Sequence, residues 1–176
     1  MRVAGLDLAL DCTGVATEDG VVSVKTRALP PDRNQDHDLR ADRMSRIRAD
    51  LVPLLRGHEL VVLEGPAYSK ALPSSFDRAG LWWDLYRGLR KGGFEVAVCP
   101  PPNLQRYATG KGNAGKTAVV AAITRLCPQY SVANDDEADA LVLRLMGADK
   151  TGAPLARVPA AHRTALAGVS WPARLT

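Results

Sequence analysis

The sequence predicts an α/β fold: a mixed five-stranded sheet, with three antiparallel strands and then two parallel ones, flanked by helices on both faces. Three strand-like segments follow one another closely at the N-terminus and are separated by short turn signals, which indicates hairpins. Two more apolar segments then alternate with stretches of helical period, which is typical of parallel strands connected by helices. A chain of 176 residues is long enough for one such domain with a substantial core.

The predicted strands are short runs of small and branched apolar residues. The first three are RVAGLDLAL, TGVATE and GVVSVKTRAL, and the clearest turn between them is Glu18-Asp19-Gly20. The fourth strand is ELVVLEG and the fifth is FEVAVC. Both are apolar enough to be buried in the middle of a sheet.

Four segments have the apolar spacing of helices. They run from Asp36 to Arg56, from about Phe76 to Lys91, from about Lys116 to Leu126 and from Asp135 to Met146. The predicted order of elements is therefore βββαβαβαα. The last stretch is rich in Ala, Pro and Arg without periodicity, so we expect a domain over residues 1–147 and a tail over residues 148–176. This tail is either mobile or strapped to the domain by Trp171.

Composition argues against several classes of protein. The formal charge of +4 permits a polyanionic partner but does not require one. Three separated cysteines and three histidines without ligand spacing suggest neither a disulfide framework nor a structural zinc site. No apolar run approaches membrane-spanning length, and Asp7 interrupts what would be the core of a signal peptide. We therefore expect a soluble protein of the reducing cytoplasm, with no membrane partner.

The segment TGKGNAGKT, Thr109 to Thr117, matches the phosphate-loop pattern GxxxxGK[ST] at every fixed position. That pattern binds a nucleotide when a buried strand leads directly into the first glycine and a helix follows. A helix does follow here, but PPPNLQRYA separates the strand FEVAVC from Gly110, and prolines do not end a central strand. The acid expected after a later strand is missing as well. We therefore expect no nucleotide cofactor.

Two acids occupy unusual positions in the predicted strands. Asp7 lies on the same side of the first strand as Val3, Gly5 and Ala9, and these neighbours predict burial. A buried ionised carboxylate is costly unless it is paired or bound to a cation, and the alternative is a hydrogen-bonded acid at a sheet edge. Glu64 closes the fourth strand at its carboxyl end, where open α/β sheets bind ligands, although an acid there can also simply reach water.

A further acidic group opens the last helix, in the segment NDDEADALVLRLMG. Asn134 and Glu137 have the spacing of an N-cap and its capping-box partner. Asp136 and Asp139 are spaced i, i+3 on one helical face, so a shared cation would relieve their repulsion. Asp135 and Asp139, at i and i+4, form the competing pair.

One acid in the first strand, one at the end of a central strand and a pair on a late helix together form a candidate site for hard divalent cations. Carboxylate oxygens are suitable ligands for Mg²⁺ and Mn²⁺. Two such ions can activate a water molecule and stabilise the leaving oxygen in phosphodiester hydrolysis. The acids therefore indicate a metal-dependent hydrolase.

The segments GLDLALDCTGVA, VVLEG, the GK-rich loop and DDEADAL, in this order, resemble the RuvC family of Holliday-junction resolvases in the RNase H-like superfamily. The resemblance spans about residues 1–147, and the short chain also resembles phage-encoded members. It implies an RNase H-like fold and a homodimeric endonuclease that makes paired symmetric nicks in four-way DNA junctions. It also implies two Mg²⁺ ions per active site, for which Mn²⁺ can substitute. The metal ligands and catalytic acids that it implies are Asp7, Glu64, Asp136 and Asp139.

The same resemblance implies roles for residues that face DNA. Lys116 matches a family lysine beside the scissile phosphate and is therefore also expected to be catalytic. The segment from Gln105 to Gly115 would be a DNA-facing loop in which Arg106 and Lys111 contact phosphates, and a solvated loop is the alternative. Tyr68 is the candidate for an aromatic residue that stacks on a junction base.

The resemblance leaves two interpretations open for each of two helices. In the family the second predicted helix contributes to the dimer interface; here it contains Trp82 and Trp83, for which core packing is the alternative. The Arg-rich helix from Asp36 to Arg56 has no clear family counterpart. Its arginines either contact DNA or form a solvated face, and the candidates are Arg40, Arg43 and Arg46.

Three other functions fit parts of the sequence. A nuclease of the same superfamily that acts on RNA, on flaps or on branched DNA in general would share these acids. An actin-like phosphotransferase is suggested by DLALDCTG, but it needs a duplicated half for which 176 residues leave no room. A non-catalytic DNA-binding module would tolerate the loss of the four acids, all of which are present.

Overall fold

The computed structural model describes residues 1–66 and 74–176, and its centre is a five-stranded sheet in the order β3-β2-β1-β4-β5. The strands are β1 (Val3–Asp7), β2 (Cys12–Thr17), β3 (Gly20–Lys25), β4 (Leu60–Glu64) and β5 (Glu95–Cys99). The β1–β2 and β2–β3 pairs are antiparallel, whereas the β1–β4 and β4–β5 pairs are parallel. The predicted sheet is confirmed.

Helices cover both faces of the sheet. They are α1 (His37–Leu54), α2 (Ser75–Lys91), α3 (Pro101–Thr109), α4 (Lys116–Leu126), α5 (Asp135–Lys150) and the short α6 (Ala160–Arg163). Alternate strand residues pack with α1 and α2 on one face, and with α3, α4 and α5 on the other. In the described part of the chain, no helix is long and apolar enough to cross a membrane.

Two glycines let α5 lie directly on the backbone of the sheet. A Cβ atom at Gly5 of β1 would stand 2.0 Å from the main-chain oxygen of Ala140, and one at Gly14 of β2 would stand 2.0 Å from that of Asp136. Any larger residue would push the helix away, because real Cβ atoms do not approach main-chain atoms so closely. The glycines therefore fix the distance between the sheet and the acidic first turns of α5.

The main departure from the predicted elements is α3, which lies where the sequence suggested a proline-rich connection and a loop from Gln105. Pro101 is the first helical residue, a position at which the missing N–H is not needed and the fixed φ suits the helix. Leu104 and Tyr107 bury one face of this helix, and Gly110 ends it with a left-handed φ of 82°. The loop expectation is thus wrong for its first half: Arg106 is helical, and the connection to α4 covers residues 110–115.

Residues 151–176, the C-terminal strap, pack along α3 and the outer edge of β5. Ser170 and Val98 exchange two main-chain hydrogen bonds, of 3.0 and 2.9 Å, which extends the sheet by one isolated bridge. The Arg163 guanidinium donates to both carboxylate oxygens of Asp149 at 2.7 and 2.5 Å. Trp171 packs against the core on the α5 side of the sheet. The strap therefore covers what would otherwise be an open strand edge.

Candidate active site

Two acids stand side by side at the carboxyl edge of the sheet. Leu6 of β1 pairs with Leu63 of the parallel strand β4, so the next residue of each strand, Asp7 and Glu64, are neighbours. Because side chains alternate along a strand, Asp7 lies on the same face as Val3 and Glu64 on the same face as Val62, and this is the face that packs against α5. Asp7 is only 8% exposed, so the burial predicted from its neighbours is confirmed.

The first turns of α5 carry Asp136 and Asp139 to the same edge. The side chain of the N-cap residue Asn134 accepts a hydrogen bond from the Glu137 N–H at 2.9 Å. In turn, the Glu137 carboxylate accepts a 2.7 Å hydrogen bond from the main-chain N–H of Ala133, the residue before the N-cap. The predicted N-cap is confirmed, and the reciprocal bond of the capping box is made one residue earlier than predicted, at Ala133 instead of Asn134. The other Glu137 oxygen accepts a 2.7 Å hydrogen bond from the Ser23 hydroxyl of β3. The first turn is thus tied to the sheet by side chains as well as by the glycine contacts.

Burial and mutual repulsion raise the pKa values of three of the acids. Burial, followed by the charge of Glu64, raises the pKa of Asp7 to about 9. Burial also raises the pKa of Glu64, and the charges of Asp139 and Asp136 add to this shift. Burial, followed by the charge of Asp7, raises the pKa of Asp139 to about 7. Because Asp7 and Glu64 are hydrogen-bonded to each other, this pair retains a proton when no cation neutralises it.

Lys116, the first residue of α4, is the cation that this cluster faces. It lowers the pKa values of Asp7, Glu64 and Asp139, and its own pKa is raised, chiefly by a hydrogen bond to Asp135. The Lys116 side chain is 74% exposed, so it remains accessible from solvent. Asp135 is therefore engaged in an ion pair at the rim, and the same hydrogen bond lowers its pKa.

The donor set suits hard divalent cations. The acids offer oxygen ligands, which Mg²⁺ and Mn²⁺ prefer. Burial first, and then mutual repulsion, raises the pKa values of Asp7, Glu64 and Asp139, and a bound cation would oppose both effects. Within residues 1–66 and 74–176, no three acidic, histidine or cysteine side chains already have the arrangement of a formed metal site. Asp7, Glu64, Asp136 and Asp139 are the residues that would hold a divalent cation here, and such a cation would compete with protons for their carboxylates.

The predicted DNA-facing residues are only partly grouped around this edge. Arg106, near the end of α3, places its guanidinium against Gly112 of the following loop, and Lys111 is exposed in that loop. Tyr68 lies outside the described residues. Two of the α1 arginines are engaged elsewhere: Arg40 is hydrogen-bonded to Asp77 of α2, and Arg43 to the chain that follows β1. The two ion pairs hold α1 against its neighbours, so Arg40 and Arg43 are not part of a free basic surface.

The architecture is similar to solved structures of RuvC. The structure of RuvC from Thermus thermophilus matches with a TM-score of 0.64 and 20% sequence identity, over 90% of this chain and 100% of that chain. T. thermophilus RuvC in complex with Holliday junction substrate matches with a TM-score of 0.62 and 19% identity, over 90% of this chain and 99% of that chain. The chain has a RuvC-like fold. No protein-family model and no curated protein matches its sequence.

Within this RuvC-like fold, two contacts to the acids were not predicted. The Cys12 thiol, at the start of β2, is within hydrogen-bonding reach of Asp136 and Ser23, and burial is the largest cause of its raised pKa. Strand alternation placed Cys12 on the same side as Gly14, which was the available signal. Trp82 of α2 donates a hydrogen bond to the main chain of Glu64. No local sequence pattern signals that contact, because Trp82 and Glu64 are 18 residues apart and meet only through tertiary packing.

Proposed function

We propose that this protein is a metal-dependent endonuclease that resolves four-way DNA junctions by paired symmetric nicks. The observation that carries the proposal is the convergence of Asp7, Glu64 and the acidic turns of α5 at one edge of a RuvC-like sheet. A buried group of like charges destabilises the folded protein and is typical of sites that recruit cations. The similar fold of RuvC bound to a Holliday junction supports branched DNA as the substrate.

The residues that would hold two Mg²⁺ ions are Asp7, Glu64, Asp136 and Asp139, and Mn²⁺ would be an acceptable substitute. When bound, the ions supply an activated water and neutralise charge on the scissile phosphate. The contribution of the chain is to hold the carboxylates in place. The β1–β4 ladder fixes the two strand-end acids, and the glycine contacts with the capping box fix the two helical ones.

Lys116 would act on the phosphate directly. Its ammonium is exposed and paired with a carboxylate that is itself at the rim, so a phosphate oxygen can replace Asp135 as its partner. A lysine there stabilises negative charge that develops on the phosphate during attack. Arg106, Lys111 and Tyr68 would add contacts to the junction arms, with a salt dependence that reflects the number of phosphates neutralised.

A homodimer would match the symmetry of the substrate. A two-fold dimer places two identical sites on the two symmetric strands of a junction, which paired nicking requires. The candidate interface is the outer face of α2, where Phe76 is 79% and Trp83 58% exposed. Large aromatic side chains with this much exposure are typical of surfaces that a partner covers.

The proposal is tested with a labelled synthetic four-way junction, compared with linear duplex, flap and RNA–DNA hybrid, in Mg²⁺. We expect symmetric nicks in the junction, and loss of cleavage but not of binding in Glu64→Gln. Equal cutting of flaps or hybrids would broaden the substrate class while keeping the active site. Absence of metal-dependent cutting on every substrate would exclude a nuclease function.

A further inference from the structure

The indole of Trp82 reaches from α2 to the exit of β4. Its Nε1–H donates a 2.9 Å hydrogen bond to the main-chain carbonyl of Glu64, and the side chain is 9% exposed. This hydrogen bond is partly buried, and leaving it unmade costs free energy, because the carbonyl would lose water without gaining a partner. The contact therefore restrains the main chain at the residue that carries one of the proposed metal ligands.

Both sides of the Glu64–Gly65 peptide group are held. The Gly65 N–H donates to the carbonyl of Cys99 in β5 at 2.8 Å. In a trans peptide the N–H and the carbonyl point in opposite directions, so the Glu64 carbonyl is directed away from β5. The ladder between β4 and β1 ends one residue earlier, at Leu63. Trp82 thus takes the place of a strand partner and fixes the plane of this peptide.

Trp82 is itself locked in an aromatic cluster on α2. Its ring stacks on Tyr86 with centroids 5.2 Å apart and planes 9° from parallel, and it meets Trp83 edge-on at 4.9 Å. Such pairs add geometric preference to simple burial. Because Trp83 is exposed on the proposed dimer face, the cluster forms a continuous path from that face to the Glu64 main chain.

We propose that Trp82 is a positioning residue for Glu64, which it holds in register with Asp7. The inference rests on the proposed function, because Glu64 matters for catalysis only if it binds a cation. Its distinctive consequence is that loss of one indole N–H impairs metal binding and turnover without weakening the association with DNA.

The chain offers a matched control. Trp171 in the C-terminal strap also donates its indole N–H to a main-chain carbonyl, that of Leu166, at 2.9 Å. Trp82→Phe and Trp171→Phe therefore remove the same kind of hydrogen bond, one beside the acids and one in the strap. Three measurements are made on both variants: hydrogen exchange of the Gly65 amide by NMR, a Mg²⁺ titration that gives the concentration for half-maximal activity, and steady-state cleavage of a four-way junction, which gives kcat and KM.

In Trp82→Phe we expect hydrogen exchange at the Gly65 amide to accelerate about five-fold or more, as loss of one hydrogen bond predicts. By a similar factor, kcat should fall and the Mg²⁺ concentration for half-maximal activity should rise. KM for the junction stays unchanged, and Trp171→Phe alters none of the three. The inference would be overturned if the Gly65 amide of Trp82→Phe exchanged at the wild-type rate, or if both variants lost activity and Mg²⁺ affinity to the same extent. A wild-type protein that neither binds Mg²⁺ nor cleaves DNA would instead defeat the proposed function, while Gly65 exchange still decides whether Trp82 fixes the end of β4.

Discussion

Substitution of Asp7 by Asn should stabilise the metal-free protein at alkaline pH. The folded-state pKa of Asp7 is raised from 3.8 to about 9, so this residue contributes stability below pH 3.8 that is lost as the pH rises toward 9. A solution at pH 8 is about four units above the ordinary pKa of 3.8. Each unit is worth about 1.4 kcal/mol, so the upper bound on the stability lost at pH 8 is about 6 kcal/mol. Relaxation of the site and the proton shared with Glu64 reduce it, and we expect a net gain of about 2–3 kcal/mol for the variant.

The assay is thermal melting in EDTA at pH 5 and at pH 8, repeated with Mg²⁺. A gain of that size corresponds to a rise in Tm on the order of 8 °C at pH 8, and the gain should shrink at pH 5. Mg²⁺ should stabilise the wild type more than the variant, because the variant lacks one ligand. Asp19→Asn in the exposed β2–β3 turn is the control and should show neither effect. Equal destabilisation by Asp7→Asn at both pH values, or an undiminished response to Mg²⁺, would refute the reasoning.

Other substitutions test the remaining features. Gly14→Ala places a Cβ atom 2.0 Å from a main-chain oxygen of α5 and should lower the free energy of unfolding in urea by about 3 kcal/mol or more. Gly115→Ala, with nothing within 4 Å, should lower it by no more than about 1 kcal/mol, the cost of alanine at the N-cap of α4; equal effects would contradict the packing argument. Lys116→Ala should reduce single-turnover cleavage by about 10²-fold with a much smaller loss of junction affinity, and a loss confined to affinity would assign the lysine to binding only. Arg163→Ala leaves the buried Asp149 carboxylate without its guanidinium partner and should cost about 1–2 kcal/mol in thermal melting, an effect that should disappear in a background with Asp149→Asn.

Much of the sheet could be predicted because its signals are local. Strand alternation, the turn at Glu18-Asp19-Gly20 and the apolar runs of β4 and β5 each depend on a few consecutive residues. The helix α3 was missed because its prolines were interpreted as breakers. A proline in the first turn of a helix is compatible with it, and only the burial of Leu104 and Tyr107 against α5 reveals that the helix forms.

The candidate site could be predicted to the level of residue types but not of contacts. The acids were conspicuous because Asp7 and Glu64 carry charge where their neighbours predict burial. Their mutual arrangement depends on the parallel register of β1 and β4, which no local pattern specifies. The pairing of Lys116 with Asp135 and the bond from Trp82 to the Glu64 carbonyl join residues from different elements, so they follow only from the assembled fold.

The glycine contacts under α5 also bear on how far this sequence can diverge without losing its architecture. At Gly5 and Gly14 the helix touches the sheet through main-chain atoms, whose shape does not depend on which side chains surround them. The rest of the core can then exchange one apolar residue for another of similar volume with little effect on the position of the acids. The architecture is therefore specified by a few main-chain contacts more than by the identity of most core side chains.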